Sequence, residues 1–228
     1  MGPRRAAQRG GRRILERLAT GAEARVTGPL GGPAVVCVNG GQGAEVPGTW
    51  SATLEWLVRR LAPELPGVAF VEVRYRVKSW RRLGECIEDC RAAVELARAP
   101  RVALVGFSMG GAVAVAAADE PDVTTVLGLA PWIPDRLDVA PLDGRRVAIV
   151  HGALDRWLPG IPGVSPKSSF RGFERIVARG VDATYTVVPG GLHGLALRSP
   201  RGRVVALPRA GRFARLLKSE LERFVSRA

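Results

Sequence analysis

A chain of 228 residues, 46% hydrophobic and 24% charged, has the composition of a globular protein built on one core. It has no apolar run near the ~18 residues that a membrane span requires, so a membrane partner is not expected. The formal net charge of +13 is almost wholly arginine, with lysine only at Lys78, Lys167 and Lys218; it implies nonspecific attraction to anionic surfaces, but no basic stretch is interleaved with base-stacking aromatics, so specific nucleic-acid binding is not expected either.

Residues 1–13 are rich in Arg and Gly with little to bury, and read as a mobile basic arm. Ile14 to Leu18 extends the arm as a short helix, giving a boundary between an arm over 1–25 and a folded domain over 26–228. No apolar segment or small-residue cleavage site follows the paired arginines Arg4-Arg5 and Arg12-Arg13, so an export signal is not expected and the cytoplasm is the expected location.

Ala34 to Val38 is a buried strand that runs into Asn39-Gly40-Gly41-Gln42-Gly43. Thr53 to Leu65 carries apolar residues at helical spacing (Leu54, Leu57, Val58, Leu61) and closes at Pro66-Gly67. Val68 to Tyr75 reads as a strand, Gly84 to Ala99 as a helix, and Arg101 to Val105 as a strand. A helix over Ala112–Ala118 and strands at Val123–Leu129 and Val147–Val150 follow. Ser169–Arg179 is a helix, Tyr185–Val188 the last strand, and Phe213–Val225 a C-terminal helix. Strands alternating with helices predict an α/β fold: a doubly wound, mostly parallel sheet flanked by helices.

Between the strand Arg101–Val105 and the helix Ala112–Ala118 stands Gly106-Phe107-Ser108-Met109-Gly110-Gly111. Strand, G-x-S-x-G, then helix is the signature of a strained turn that lifts a serine above the sheet, with flanking glycines letting two backbones approach. In such sheets reactive groups gather at the carboxyl ends of the strands. Asp155 follows the strand Val147–Val150 in His151-Gly152-Ala153-Leu154-Asp155, and His193 follows the last strand in Val188-Pro189-Gly190-Gly191-Leu192-His193. Serine needs a base to become a nucleophile, and the base needs a carboxylate to hold its tautomer and stabilise its cation. Ser108, His193 and Asp155 take those roles. His151 is the alternative base and reads as structural; Asp135 and Asp138 are alternative acids.

The Asn39-Gly40-Gly41 turn offers an oxyanion hole, with Gly41 as the first backbone donor, Gln42 next to it on the substrate side, and the Met109 amide as the second donor. Trp132, after the strand Val123–Leu129, is either core or a wall of an acyl pocket. Cys86 and Cys90 lie one helical turn apart and, with Cys37, read as structural thiols. No metal-ligand cluster or dinucleotide fingerprint is present, so no cofactor or metal is expected.

On Ser108, Asp155, His193, Val73-Arg74-Tyr75-Arg76, Ala130-Pro131-Trp132 and His151-Gly152-x-x-Asp155, the chain resembles the α/β-hydrolase superfamily from about Ala34 onward. Within it the likeness is to compact bacterial serine hydrolases of the kind common in high-GC actinobacteria. The resemblance implies a Ser–Asp–His triad with the Met109 amide in the oxyanion hole. It departs at Asn39-Gly40, where the family usually has His-Gly. The short span between Leu129 and Val147 leaves a minimal or absent lid, and an open site suits a small or medium carboxylic ester or thioester. A cofactor-free perhydrolase, a triad-retaining binding protein with little turnover, and a nucleic-acid-associated protein using the basic arm are the competing readings.

Overall fold

Ten strands and five α-helices occupy residues 13–156 and 163–226, the residues that the computed structural model describes. In chain order they are β1 (Ile14–Arg17), β2 (Glu23–Thr27), β3 (Ala34–Val38), α1 (Ala52–Leu61), β4 (Ala69–Arg74), α2 (Leu83–Ala97), β5 (Val102–Phe107) and α3 (Gly110–Ala116). Then come β6 (Val123–Leu129), β7 (Arg146–Gly152), α4 (Pro166–Ala178), β8 (Asp182–Val188), β9 (Ala196–Arg198), β10 (Val204–Ala206) and α5 (Ala210–Ser226).

Eight strands form one sheet in the order β1-β2-β4-β3-β5-β6-β7-β8, parallel from β4 to β8 and antiparallel at the β1-β2 edge. The central strands β3, β5, β6 and β7 are largely apolar because both of their faces are covered. Val36, Val38, Leu104 and Ile149 pack on one side with α2, α3 and α4; Val35, Cys37, Val105 and Val150 pack on the other with α1 and α5. Alternate residues of each strand therefore enter different cores, and each large side chain fully buried this way contributes about 1.5–3 kcal/mol.

The helices begin where side chains can cap them. Ser51 Oγ accepts from Leu54 N (3.3 Å) at the head of α1, and Ser165 Oγ accepts from Ser168 N (3.1 Å) at the head of α4, with Pro166 in its first turn. The α1 pattern continues past Leu61 as a single 3₁₀ turn, Ala62–Glu64, because Pro63 has no N–H to donate. Cys37, Cys86 and Cys90 are free and buried, and burial pushes the thiols of Cys86 and Cys90 up to about 11 and about 12.

Two local expectations are corrected. Residues 14–17 form a strand and not a helix, paired with β2 through a turn at Gly21 (φ +88°), so the expected boundary at residue 25 falls inside β2. Five residues are too few to nucleate a helix, whereas a hairpin docked on β4 gains cross-strand hydrogen bonds at once. Residues 1–12 of the expected arm lie outside the described residues. The β9-β10 hairpin was also not expected; its strands are three residues each, too short to show a pattern. Arg13, Arg25, Arg59 and Arg198 converge on the buried Glu55, tying the residue before β1 to β2, α1 and β9. Burial alone would raise the Glu55 carboxyl, but the arginines, Arg198 foremost, hold it below its usual range.

Between β6 and β7 the chain carries only a 3₁₀ turn, Ala140–Leu142, and no lid is inserted there.

Candidate functional site

The sheet changes direction at β3: the chain crosses from β3 to β4 on one side and then returns to β5 on the other. The crevice above such a reversal is where α/β sheets place their ligands. Ser108 stands there, between β5 and α3, at φ +56°. A non-glycine residue in that region is strained, and three hydrogen bonds impose it: Ser108 N donates to Leu129 O (3.1 Å), while Ser108 O accepts from Gly111 N (2.9 Å) and Trp132 N (2.8 Å).

Close backbone approaches bring the neighbouring strand ends to it. A Cβ on Gly110 would lie 2.2 Å from Val38 O, so only glycine lets the start of α3 press against the end of β3. A Cβ on Gly152 would lie 2.5 Å from Gly191 O, which draws the loop after β7 onto the loop after β8. As a result Asp155 and His193 meet, with His193 Nδ1 2.7 Å from Asp155 Oδ2. The carboxylate can only accept, so Nδ1 carries the proton and Nε2 is left as an acceptor. The His193 ring packs against Phe107, the residue before the serine, at 5.0 Å between centroids. Among the described residues no hydrogen bond joins Ser108 Oγ to His193; such contacts commonly tighten only when substrate is bound.

Asp155 is almost wholly buried, and its two oxygens are fully engaged. Oδ1 accepts from Val164 N (3.1 Å), and Oδ2 faces His151 Nε2 (2.8 Å) as well as His193. Burial alone would raise this carboxyl, but the hydrogen bonds from His151 and His193 hold it below its usual value. His151 thus touches the acid directly, from the same strand-end segment His151-Gly152-Ala153-Leu154-Asp155 that carries it. Its Nε2 also lies 2.8 Å from Val164 O, and because both neighbours are acceptors the proton sits on Nε2. Asp135 is exposed beside Arg171 and Arg175, and Asp138 accepts from Ala140 N (2.9 Å); neither reaches the histidine.

Asn39 pins the loop after β3. Its Nδ2 donates to Thr49 O (2.9 Å), its Oδ1 accepts from Gly40 N (2.7 Å), and its carbonyl accepts from Tyr75 Oη (3.0 Å). Gly40 N–H is thereby taken, whereas the N–H groups of Gly41 and Met109 have no protein acceptor among the described residues.

Two clefts flank the serine and the histidine. One, of about 260 Å³, is lined by Ser108, Gly41 and Met109 between the rings of Trp80 and Trp132. Trp132 is half-buried and also packs against the core, so it serves as both. Gln42 lines neither cleft; its carbonyl accepts from Trp80 N (3.1 Å), and it is Trp80 that reaches the serine's cleft. The only sequence signal for Trp80 was a tryptophan after a strand end. The second cleft, of about 480 Å³, is mostly apolar and opens against His193, with Phe107, Trp50 and Leu197 in its walls.

Residues 35–226 match the profile of the Alpha/beta hydrolase family, and the chain belongs to that family. No curated protein matches it. Among solved structures it is similar to a sugar hydrolase from Lactococcus lactis, at 17% identity and a TM-score of 0.70 over 94% of this chain and 98% of the other. It is similar to an alpha-beta serine hydrolase homologue from Coxiella burnetii (17%, TM-score 0.66, 95% and 100%). An esterase from Exiguobacterium antarcticum is a third such structure (14%, TM-score 0.63, 92% and 99%). At these identities the likeness shows the fold. No helix among the described residues is long and apolar enough to cross a membrane, and no three His, Cys, Asp or Glu among them are grouped to hold a metal ion.

Proposed function

We propose that the protein is a serine hydrolase that cleaves a small or medium carboxylic ester or thioester through an acyl-enzyme. The observation that carries this is a serine at positive φ on a strand-to-helix turn, with a paired histidine and carboxylate at 2.7 Å on the neighbouring strand ends. Ser108 Oγ attacks the acyl carbon while His193 Nε2 takes its proton and delivers it to the leaving oxygen or sulfur. Asp155 holds the Nδ1–H tautomer and stabilises the imidazolium. The unsatisfied amides of Gly41 and Met109, beside Ser108 in one cleft, receive the developing oxyanion. Water, activated by the same histidine, then releases the acid. The absence of a lid between β6 and β7 and the narrow cleft between Trp80 and Trp132 support a short acyl group.

The test is hydrolysis of p-nitrophenyl acetate and an acetyl thioester, with Ser108→Ala and His193→Ala each lowering kcat by about 10³-fold or more. Turnover by Ser108→Ala at the wild-type rate would overturn the triad. Fluorophosphonate labelling of Ser108 without ester turnover would point to a binding protein instead.

A further inference from the structure

We infer that the leaving group of the natural substrate is apolar and carries an anionic group, which Lys78 and Arg156 receive in the larger cleft. This rests on the proposed serine chemistry, because that chemistry gives the two clefts different occupants. In acylation the Ser108 Oγ–acyl carbon bond forms and the bond from acyl carbon to leaving oxygen breaks. The serine proton passes through His193 to that oxygen, which departs as an alcohol. The leaving group therefore lies against His193, and the acyl group lies with Ser108 and the oxyanion amides. The cleft of about 260 Å³ touches Ser108, Gly41 and Met109; the cleft of about 480 Å³ touches His193 and not Ser108. Geometry thus assigns the narrow cleft to the acyl group and the wide one to the alcohol.

The charge in the wide cleft is one-sided. Among the described residues its walls hold Lys78, Arg156 and Arg198 and no carboxylate. Excess arginine alone does not explain this, because the cations differ in what already neutralises them. Arg198 is held by Glu55 at 2.6 Å, and Arg25, stacked 3.9 Å over the Trp50 ring, is also paired with Glu55. Among the described residues Lys78 has only a neutral partner, Thr49 Oγ1 at 2.9 Å, and Arg156 makes no ion pair. Lys78 is half-buried, and with no carboxylate beside it burial pulls its ammonium pKa below the usual range. A cation that is partly desolvated and lacks a counter-charge, in a wall otherwise apolar, suits a ligand anion on a hydrophobic body.

Matched esters test this. The probes are the acetate ester of 3-(4-hydroxyphenyl)propanoate and its carboxamide, which differ only in charge on the leaving group. A second pair, the p-nitrophenyl hemiester of glutarate and p-nitrophenyl butyrate, places the charge on the acyl side. The expected result is a preference of about tenfold in kcat/KM for the anionic leaving group, weakened by salt, with no gain for the anionic acyl group. Lys78→Met with Arg156→Met brings the first ratio toward one. Calorimetric binding of the free alcohol 3-(4-hydroxyphenyl)propanoate against its amide reads the cleft without turnover and is expected to show the same preference. Equal kcat/KM and equal binding for the charged and neutral partners would overturn the inference, as would a preference that survives in the double variant. Preferential binding that depends on Lys78 and Arg156, in a protein that turns over no ester, would sustain the cleft assignment and overturn the reading of Ser108.

Discussion

His151 Nε2 stands 2.8 Å from Asp155 Oδ2, the same oxygen that His193 Nδ1 meets at 2.7 Å. Both histidines of the sequence therefore converge on one carboxylate oxygen, one from the buried side and one from the cleft. The buried histidine holds the acid in line for the other.

Replacing His151 with Phe is expected to lower kcat about 10–100-fold while KM changes little, since the group acts through Asp155 and touches no substrate. His151→Gln, whose amide can still donate to Oδ2, is expected to recover part of the loss. Steady-state kinetics on a p-nitrophenyl ester checks both.

The same contact has a consequence for stability. A carboxylate held below its ordinary value in the folded state contributes stability above its unfolded pKa of about 3.9 and loses it as pH falls through the folded value. Asp155 is such a group, and His151 is one of the donors that depress it. In His151→Phe the folded value rises, so acid unfolding followed by circular dichroism is expected to begin at a higher pH than in the wild type.

Gly110→Ala places a methyl group 2.2 Å from Val38 O. Backbone cannot yield there as a side chain would, so the variant is expected to lose about 1–3 kcal/mol in urea unfolding. Activity should fall further than stability, because the clash pushes the Asn39–Gly41 loop away from Ser108.

Asn39→Ala removes the bonds to Thr49 O and Gly40 N. The expected cost is about 1–2 kcal/mol in stability. In kcat the expected drop is about tenfold or more, as the Gly41 amide loses its fixed aim and Gly40 N–H is released.

The three cysteines are expected to resist a thiol reagent in the native protein at pH 8 and to react fully once it is unfolded. Cys86 and Cys90 carry pKa values pushed up to about 11 and about 12 by burial, so only about 10⁻³ or less of each is thiolate at that pH. Absorbance of released thionitrobenzoate measures this directly.

The parallel core and the positions of Ser108, Asp155 and His193 were legible in the sequence. Buried strands announce themselves as unbroken apolar runs, and chemistry in such sheets collects just past their carboxyl ends. What remained illegible was short or sideways. β1, β9 and β10 are too brief to carry a period, so Ile14–Arg17 read as helix until β2 and β4 offered it a sheet edge. Gln42 sat beside the expected oxyanion turn, yet the bridge from its carbonyl to Trp80 N put the tryptophan ring at the cleft.

By itself, then, the sequence determined the order of elements in the parallel core and the placement of a serine, an acid and a histidine just past three of its strands, because those depend on local pattern and on the handedness of βαβ units. Only the tertiary structure decided what each side chain faces. Close approach at Gly152 drew His193 onto Asp155, and folding set Lys78 beside Thr49 while Arg198 met Glu55. Those relations join residues far apart along the chain, and distance along the chain carries no information about which charge or hydrogen bond is already satisfied.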